Sequence, residues 1–272
     1  MKGKKYMTKK LILLLSSLCL LASCSNTPSG GNSSGGGEAS SSSVDDDVDY
    51  TVPEDLSEIS TGISISISGF LNDISVGMSL AGHSSYPISF ELTNNPTGKV
   101  TVRSDNTNVL SVDTSSSGTS WTLLTHKQGK AHLIIEDGDG IAHYRTLVTV
   151  KKKLTAEEVT ASLPEIDYFS TVPGFEYATG NLTMWFVEGG TGYISGNESG
   201  GVSLNHQSFT YEYNQEYSTN SEEKEHWYIY KVSDWALADF VFDYFAVWNT
   251  GDRLHAYTRN GLLAIVEPST EA

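Results

Sequence analysis

The chain is predicted to be all-β: a β-sandwich followed by a second, aromatic-rich antiparallel domain, a meander or small barrel with a short helix at its start. Three observations carry this. Ile63-Ser64-Ile65-Ser66-Ile67 alternates apolar and polar side chains with period two, the mark of a strand buried on one face. Short β-branched and aromatic runs then recur, separated by turn clusters such as NNPTG, SDNTN, SSSG and DGDG. Beyond Lys153 the composition shifts, and every tryptophan except Trp121 lies there.

Residues 1–23 read as an export signal. Lys2, Lys4, Lys5, Lys9 and Lys10 precede an apolar run of twelve, Leu11 to Ala22. A bilayer span needs about 20 apolar residues, so the run suits a signal peptide. Leu21-Ala22-Ser23-Cys24 resembles the lipobox of bacterial lipoproteins. The resemblance implies lipid on the Cys24 sulfur, cleavage just before it, and a palmitate-type anchor on the outer face of a bacterial cell membrane. A thiolate is the side-chain nucleophile best suited to accept an alkyl group, and two acyl chains hold a protein where one is marginal. The sulfur is then consumed and Cys19 leaves with the signal, so no internal disulfide is expected.

Residues 24–57 are Ser, Gly, Asn and Asp with little that is apolar, including the acidic run Asp45 to Asp49. Such a segment cannot bury enough surface to offset chain entropy. It reads as a tether with a span of roughly 30 Å. Consecutive aspartates favour a solvated spacer over an ion-wrapping loop.

Residues 58–152 hold the sandwich. After Ile63 to Ile67, strands are expected at 86–92, 99–103, 108–113, 120–125, 130–137 and 143–151, without helical periodicity. The expected core is Ile65, Ile67, Ile88, Phe90, Val100, Val102, Leu110, Val112, Leu123, Leu133, Ile135, Val148 and Val150. SDNTNVLSVD, KQGKAHLIIEDGDG and YRTLVTVK resemble the second half of a group 2 bacterial immunoglobulin-like domain, with Ser104, Asn106, Val109, Val112, Asp113, Gly129 and Ala131 on matching positions. Val102 stands where that family often has tryptophan. The resemblance implies an immunoglobulin-like stalk or adhesion module and no catalytic residue. Asp137-Gly138-Asp139-Gly140 lacks the distal ligands of a calcium loop and reads as a hairpin turn.

Residues 153–272 begin with Thr155-Ala156-Glu157-Glu158, a capping box that predicts a helix to about Leu163, ended by Pro164. Strands are expected at 181–188, 191–195, 208–215, 226–232, 239–248, 253–259 and 262–267, with turns at Gly189-Gly190, Asn249 to Asp252 and Asn260-Gly261. Residues 239–248 also fit a helix, but their aromatic, β-branched content favours a strand. The strand rhythm and GGTGYISG resemble the lipocalin-like domains of bacterial surface lipoproteins.

The net charge of −16 deepens once the signal lysines leave. That field repels nucleic acid. No catalytic residue, cofactor or metal site is assigned. Glu212 with Glu216, and Glu223 with Glu225, lack a defined separation; no Gly-x-Ser-x-Gly turn occurs; His206, His226 and His255 lack metal spacing. Trp185, Trp227, Trp235 and Trp248 are the candidate ligand-binding aromatics, since their faces can stack on sugar rings, or else they are core. The expected function is a non-catalytic, membrane-anchored binding or adhesion module for a cell-wall glycan, host glycan or surface protein. An accessory hydrolase with its site in 153–272 and a purely structural spacer are the alternatives.

Overall fold

The computed structural model describes residues 48, 50–52 and 58–269, apart from 95–97, 116, 168, 173–180, 198–202, 219–220, 238–240 and 259. The signal segment, Cys24 and nearly all of the tether lie outside the described residues. Among the described residues no helix is long and apolar enough to cross a membrane.

The first half is a sandwich of two four-stranded sheets. One sheet runs β1 (Ser64–Ser68), β3 (Ser85–Thr93), β6 (Ser120–Thr125), β5 (Leu110–Val112). The other runs β2 (Leu80–Ala81), β8 (Ala142–Lys151), β7 (Gly129–Asp137), β4 (Val100–Ser104). All pairings are antiparallel except the short parallel contact of β2 with β8. Strict alternation in β3 sends Tyr86, Ile88 and Phe90 into the core and leaves Ser85, Pro87 and Ser89 outside. Of the expected core, Ile65, Ile67, Val100 and Val112 are only partly buried, and the others are sealed. The Asp137 carboxylate shapes the β7–β8 hairpin: Oδ1 accepts from the N–H groups of Asp139 and Ile141 at 2.9 and 3.0 Å, and Oδ2 lies 2.8 Å from His143 Nε2. Gly140 takes φ +79° there, as a hairpin turn requires.

The sandwich contains one helix that periodicity did not predict. α1 (Phe70–Ser75) plugs one end, burying Leu71 and Ile74. Six residues are too few to show a 3.6-residue repeat.

The second half is a closed, eight-stranded, up-and-down antiparallel barrel. Its strands are β9 (Phe169–Thr171), β10 (Leu182–Val187), β11 (Thr191–Asn197), β12 (Ser203–Tyr213), β13 (Trp227–Ser233), β14 (Phe242–Trp248), β15 (Leu254–Thr258) and β16 (Gly261–Pro268), and β16 returns to pair with β9. Residues 242–248 are a strand, paired on both sides. Closure removes the free edges that invite aggregation. Phe186, Phe209, Tyr211, Tyr230, Phe242 and Phe245 fill the interior, with Tyr230 stacked on Phe245 at 4.9 Å. α2 (Ala156–Ser162) starts at the predicted capping box: Glu158 N–H donates to Thr155 Oγ1 at 3.2 Å, and Thr155 N–H donates to Glu158 Oε2 at 2.7 Å. A 3₁₀ turn, Leu163–Glu165, carries Pro164 and finishes it. Val159 and Leu163 pack on the barrel core, and the Tyr228 hydroxyl donates to Leu154 O at 2.6 Å.

The outer face of β13–β15 is also apolar and docks against the sandwich. Trp227, Ile229, Ala246 and Trp248 belong to the same buried cluster as Leu71, Tyr86 and Leu123. Trp248 Nε1 donates to Ser79 O at 2.6 Å, Lys151 Nζ reaches Asp252 Oδ2 at 3.2 Å, and the buried Arg253 sits 3.9 Å from Asp73 and 3.8 Å from Glu267. The sandwich core therefore extends onto the barrel's outer face, while the barrel interior forms a second cluster.

Candidate functional site

A cleft of about 700 Å³ opens along this seam. The sandwich supplies Phe70 and Asp73 from α1 and Trp121 from β6. The barrel supplies Trp227, His255 and Tyr257, with Glu225 and His226 from α3 (Ser221–His226). Ser68, Ser89, Ser120 and Thr122 add hydroxyls. Period two explains the barrel wall, since Trp227 on β13 and His255 and Tyr257 on β15 are the outward residues of strands whose alternate positions fill the interior.

The rings are held by one another. Trp227 and His255 lie 4.1 Å apart, and Tyr257 stacks on Tyr244 at 4.4 Å. Phe70 meets His226 edge-on at 5.6 Å. On the sandwich side, Trp121 is fixed by donating Nε1–H to Gly118 O at 2.9 Å.

Two buried polar atoms stand at this cleft without a protein partner: Nδ1 of His226 and Nε2 of His255. An unpaired buried nitrogen costs about 1–3 kcal/mol, so both rings carry an unmet polar group beneath the cleft surface. Burial holds both imidazoles below the usual value, His255 down to about 3, which keeps them neutral at pH 7. Asp73 is pushed upward, chiefly by burial and against the pull of Arg253.

These shifts predict an acid-labile seam. A histidine whose folded pKa lies below its unfolded 6.5 gives stability that is intact above pH 6.5 and declines as pH falls toward the folded value. His255 alone should cost about 2 kcal/mol between pH 7 and pH 5, whereas Asp73 acts in the opposite sense at lower pH. Urea denaturation at the two pH values checks this: His255→Phe should flatten the difference, and equal stability at both in the parent chain would refute it.

The predicted tryptophans separate into four environments. Trp227 reaches the cleft although it is only 5% exposed. Trp248 is 0% exposed beneath it, closed to any ligand, because its strand buries both faces. Trp235 covers one part of the barrel interior, 5.7 Å from Phe242. Trp185 lies on the barrel's outside, stacked on Tyr193 at 5.5 Å with His206 edge-on at 4.8 Å. Of the four, Trp227 alone lines the cleft at the seam. Trp121, Asp73 and Phe70 were missed by sequence reasoning. Trp121 stands outside the aromatic-rich half, and its signal is a tryptophan near the start of a strand whose other inward residues are Leu123 and Thr125.

No protein-family profile and no curated protein matches the chain. Solved structures of the surface-layer protein SbsC are similar to parts of it. Its domains 4 and 5 match at 24% identity over 32% of this chain and 50% of that one, with a TM-score of 0.26. Domains 1–6 match at 16% identity over 77% of this chain and 25% of that one, with a TM-score of 0.27. Domains 4–9 match at 16% identity over 75% and 30%, with a TM-score of 0.25. The chain thus spans half or less of each of these three structures. The functional reading rests on the cleft itself.

The other polar candidates have local partners. His126 Nε2 lies 2.8 Å from Ser111 Oγ, and His132 Nδ1 lies 2.7 Å from Asp105 Oδ2. Glu216 pairs with Lys224 at 2.8 Å. Among the described residues no group of three or more His, Cys, Asp or Glu is placed to hold a metal ion.

Proposed function

We propose that the protein is a lipid-anchored cell-surface binding module, non-catalytic, whose ligand is a glycan held in the cleft between sandwich and barrel. The observation that carries this is one cleft lined by Trp121 from the sandwich and by Trp227 and Tyr257 from the barrel, together with serine and threonine hydroxyls. Aromatic faces take the apolar faces of a sugar ring, and short hydroxyls take its edge. Two domains contributing to one cleft also fit common sites of ligand binding.

Calorimetric titration of the full chain with a panel of wall and soluble polysaccharides tests the reading. Saturable heat is expected for at least one glycan, falling about tenfold or more in affinity in Trp121→Ala, the loss of about 1.4 kcal/mol. Because Trp121 is only partly buried, its replacement should leave folding intact. Absence of heat across the panel would overturn the glycan assignment.

The anchor is tested separately. Cys24→Ala should move the protein from the membrane fraction to the medium, and retention on the membrane would refute lipidation. A hydrolase is the second reading, favoured by Asp73 and Glu225 lining one cleft, as paired carboxylates do in glycosidases. Incubation with the bound glycan should release no new reducing ends, and release that disappears in Asp73→Asn would establish the hydrolase instead.

A further inference from the structure

The cleft carries more information than its aromatic walls. Among the described residues its two charged lining groups are both carboxylates, Asp73 and Glu225, and no lysine or arginine lines it. The Asp73 carboxylate accepts no hydrogen bond from any described residue. Its nearest cation, Arg253, stays at 3.9 Å, is 1% exposed, and is shared with Glu267. Glu225 is 68% exposed at the rim, 3.8 Å from His226 Nε2. Lys153 borders the neighbouring depression, which also includes Glu225 and His226. The His226 ring is 6% exposed, and its Nδ1 has no partner.

The geometry points to an amino sugar as the ligand: a pyranose ring against Trp121 and Tyr257, its protonated amine taken by Asp73 and Glu225, and its hydroxyls by the serine and threonine hydroxyls of the lining. This rests on the glycan reading above and narrows it. A free amine is positively charged at pH 7, and its hydrogen bonds to a carboxylate are about twice as strong as neutral ones. Aromatic faces attract the same cation. The imidazoles beneath the cleft, held neutral by burial, put no positive charge against the amine. A uronic or phosphorylated sugar would instead bring an anion against two carboxylates in a chain of net charge −16. Such like-charge juxtaposition works against binding.

The test is calorimetric titration of the full chain at pH 7 with three oligosaccharides of matched length: β-1,4-glucosamine, β-1,4-N-acetylglucosamine and oligogalacturonate. The free amine should bind about tenfold tighter than the N-acetyl form, a difference of about 1.4 kcal/mol, and the uronate should not bind. Asp73→Asn and Glu225→Gln should each shrink the amine preference toward one while leaving N-acetyl binding in place. Equal affinity for the amine and N-acetyl forms overturns the amino-sugar assignment and leaves the glycan reading standing, as does a preference for the uronate. Silence from all three, joined to silence across the polysaccharide panel, overturns both. If either variant fails to fold by circular dichroism, the parent chain's amine-to-acetyl ratio still decides.

Discussion

Trp248→Ala should destabilise the protein by about 3–5 kcal/mol, the range for emptying a sealed aromatic site. The ring is 0% exposed and stands among Phe70 at 5.7 Å, Tyr86 at 5.8 Å, His226 at 5.7 Å and Trp227 at 4.8 Å, so sandwich and barrel both lose packing at once. The bond from Nε1 to Ser79 O is lost as well and leaves a buried carbonyl short of a donor. Because the shared cluster is what joins the two halves, the parent chain should unfold in one transition and the variant in two. Trp248→Phe separates the contributions: it keeps most of the packing, loses the hydrogen bond, and should cost about 1–3 kcal/mol. Urea denaturation followed by far-ultraviolet circular dichroism measures both. A loss under about 1 kcal/mol in Trp248→Ala, with a single transition retained, would show that the seam is not a common core.

The same seam marks where sequence reasoning succeeds and where it stops. Period-two alternation finds β3 and β7, and the capping box finds α2, because these signals depend on the backbone and its nearest neighbours. Alternation also groups Trp227 with Ile229 and sets Tyr228 with Tyr230. It cannot say which set faces inward, since both faces of β13 are apolar: Tyr230 and Val232 fill the barrel, while Trp227 and Ile229 meet the sandwich. The cleft is harder still. Trp121 and Trp227 are separated by more than a hundred positions, and they line one cleft only after two independently patterned domains have docked. Asp73 belongs to a helix too short to announce itself, and β9, with three residues, closes the barrel on the strength of its neighbours.

Gly192→Ala is the second substitution with a large expected cost, although it adds a single methyl. Gly192 on β11 pairs directly with Phe209 on β12, and the Phe209 ring lies over it. A Cβ there would overlap that ring, coming within 2.5 Å of its Cε2. A flexible neighbour could yield, but Phe209 is 1% exposed and wedged among Phe242 at 5.1 Å, Phe186 at 6.2 Å and Phe245 at 6.3 Å. Moving it therefore disturbs the whole aromatic filling of the barrel, and overpacking of this kind costs about 3 kcal/mol. Removing the obstacle should restore part of the loss: in Gly192→Ala combined with Phe209→Leu, the two changes should be less destabilising than their sum by about 1 kcal/mol or more. Strict additivity would mean that the methyl is accommodated by the backbone of β11 and not by the ring. A cost below about 0.5 kcal/mol for Gly192→Ala alone would show that the barrel interior has room to rearrange, and a barrel with that freedom would again be a candidate container for a ligand.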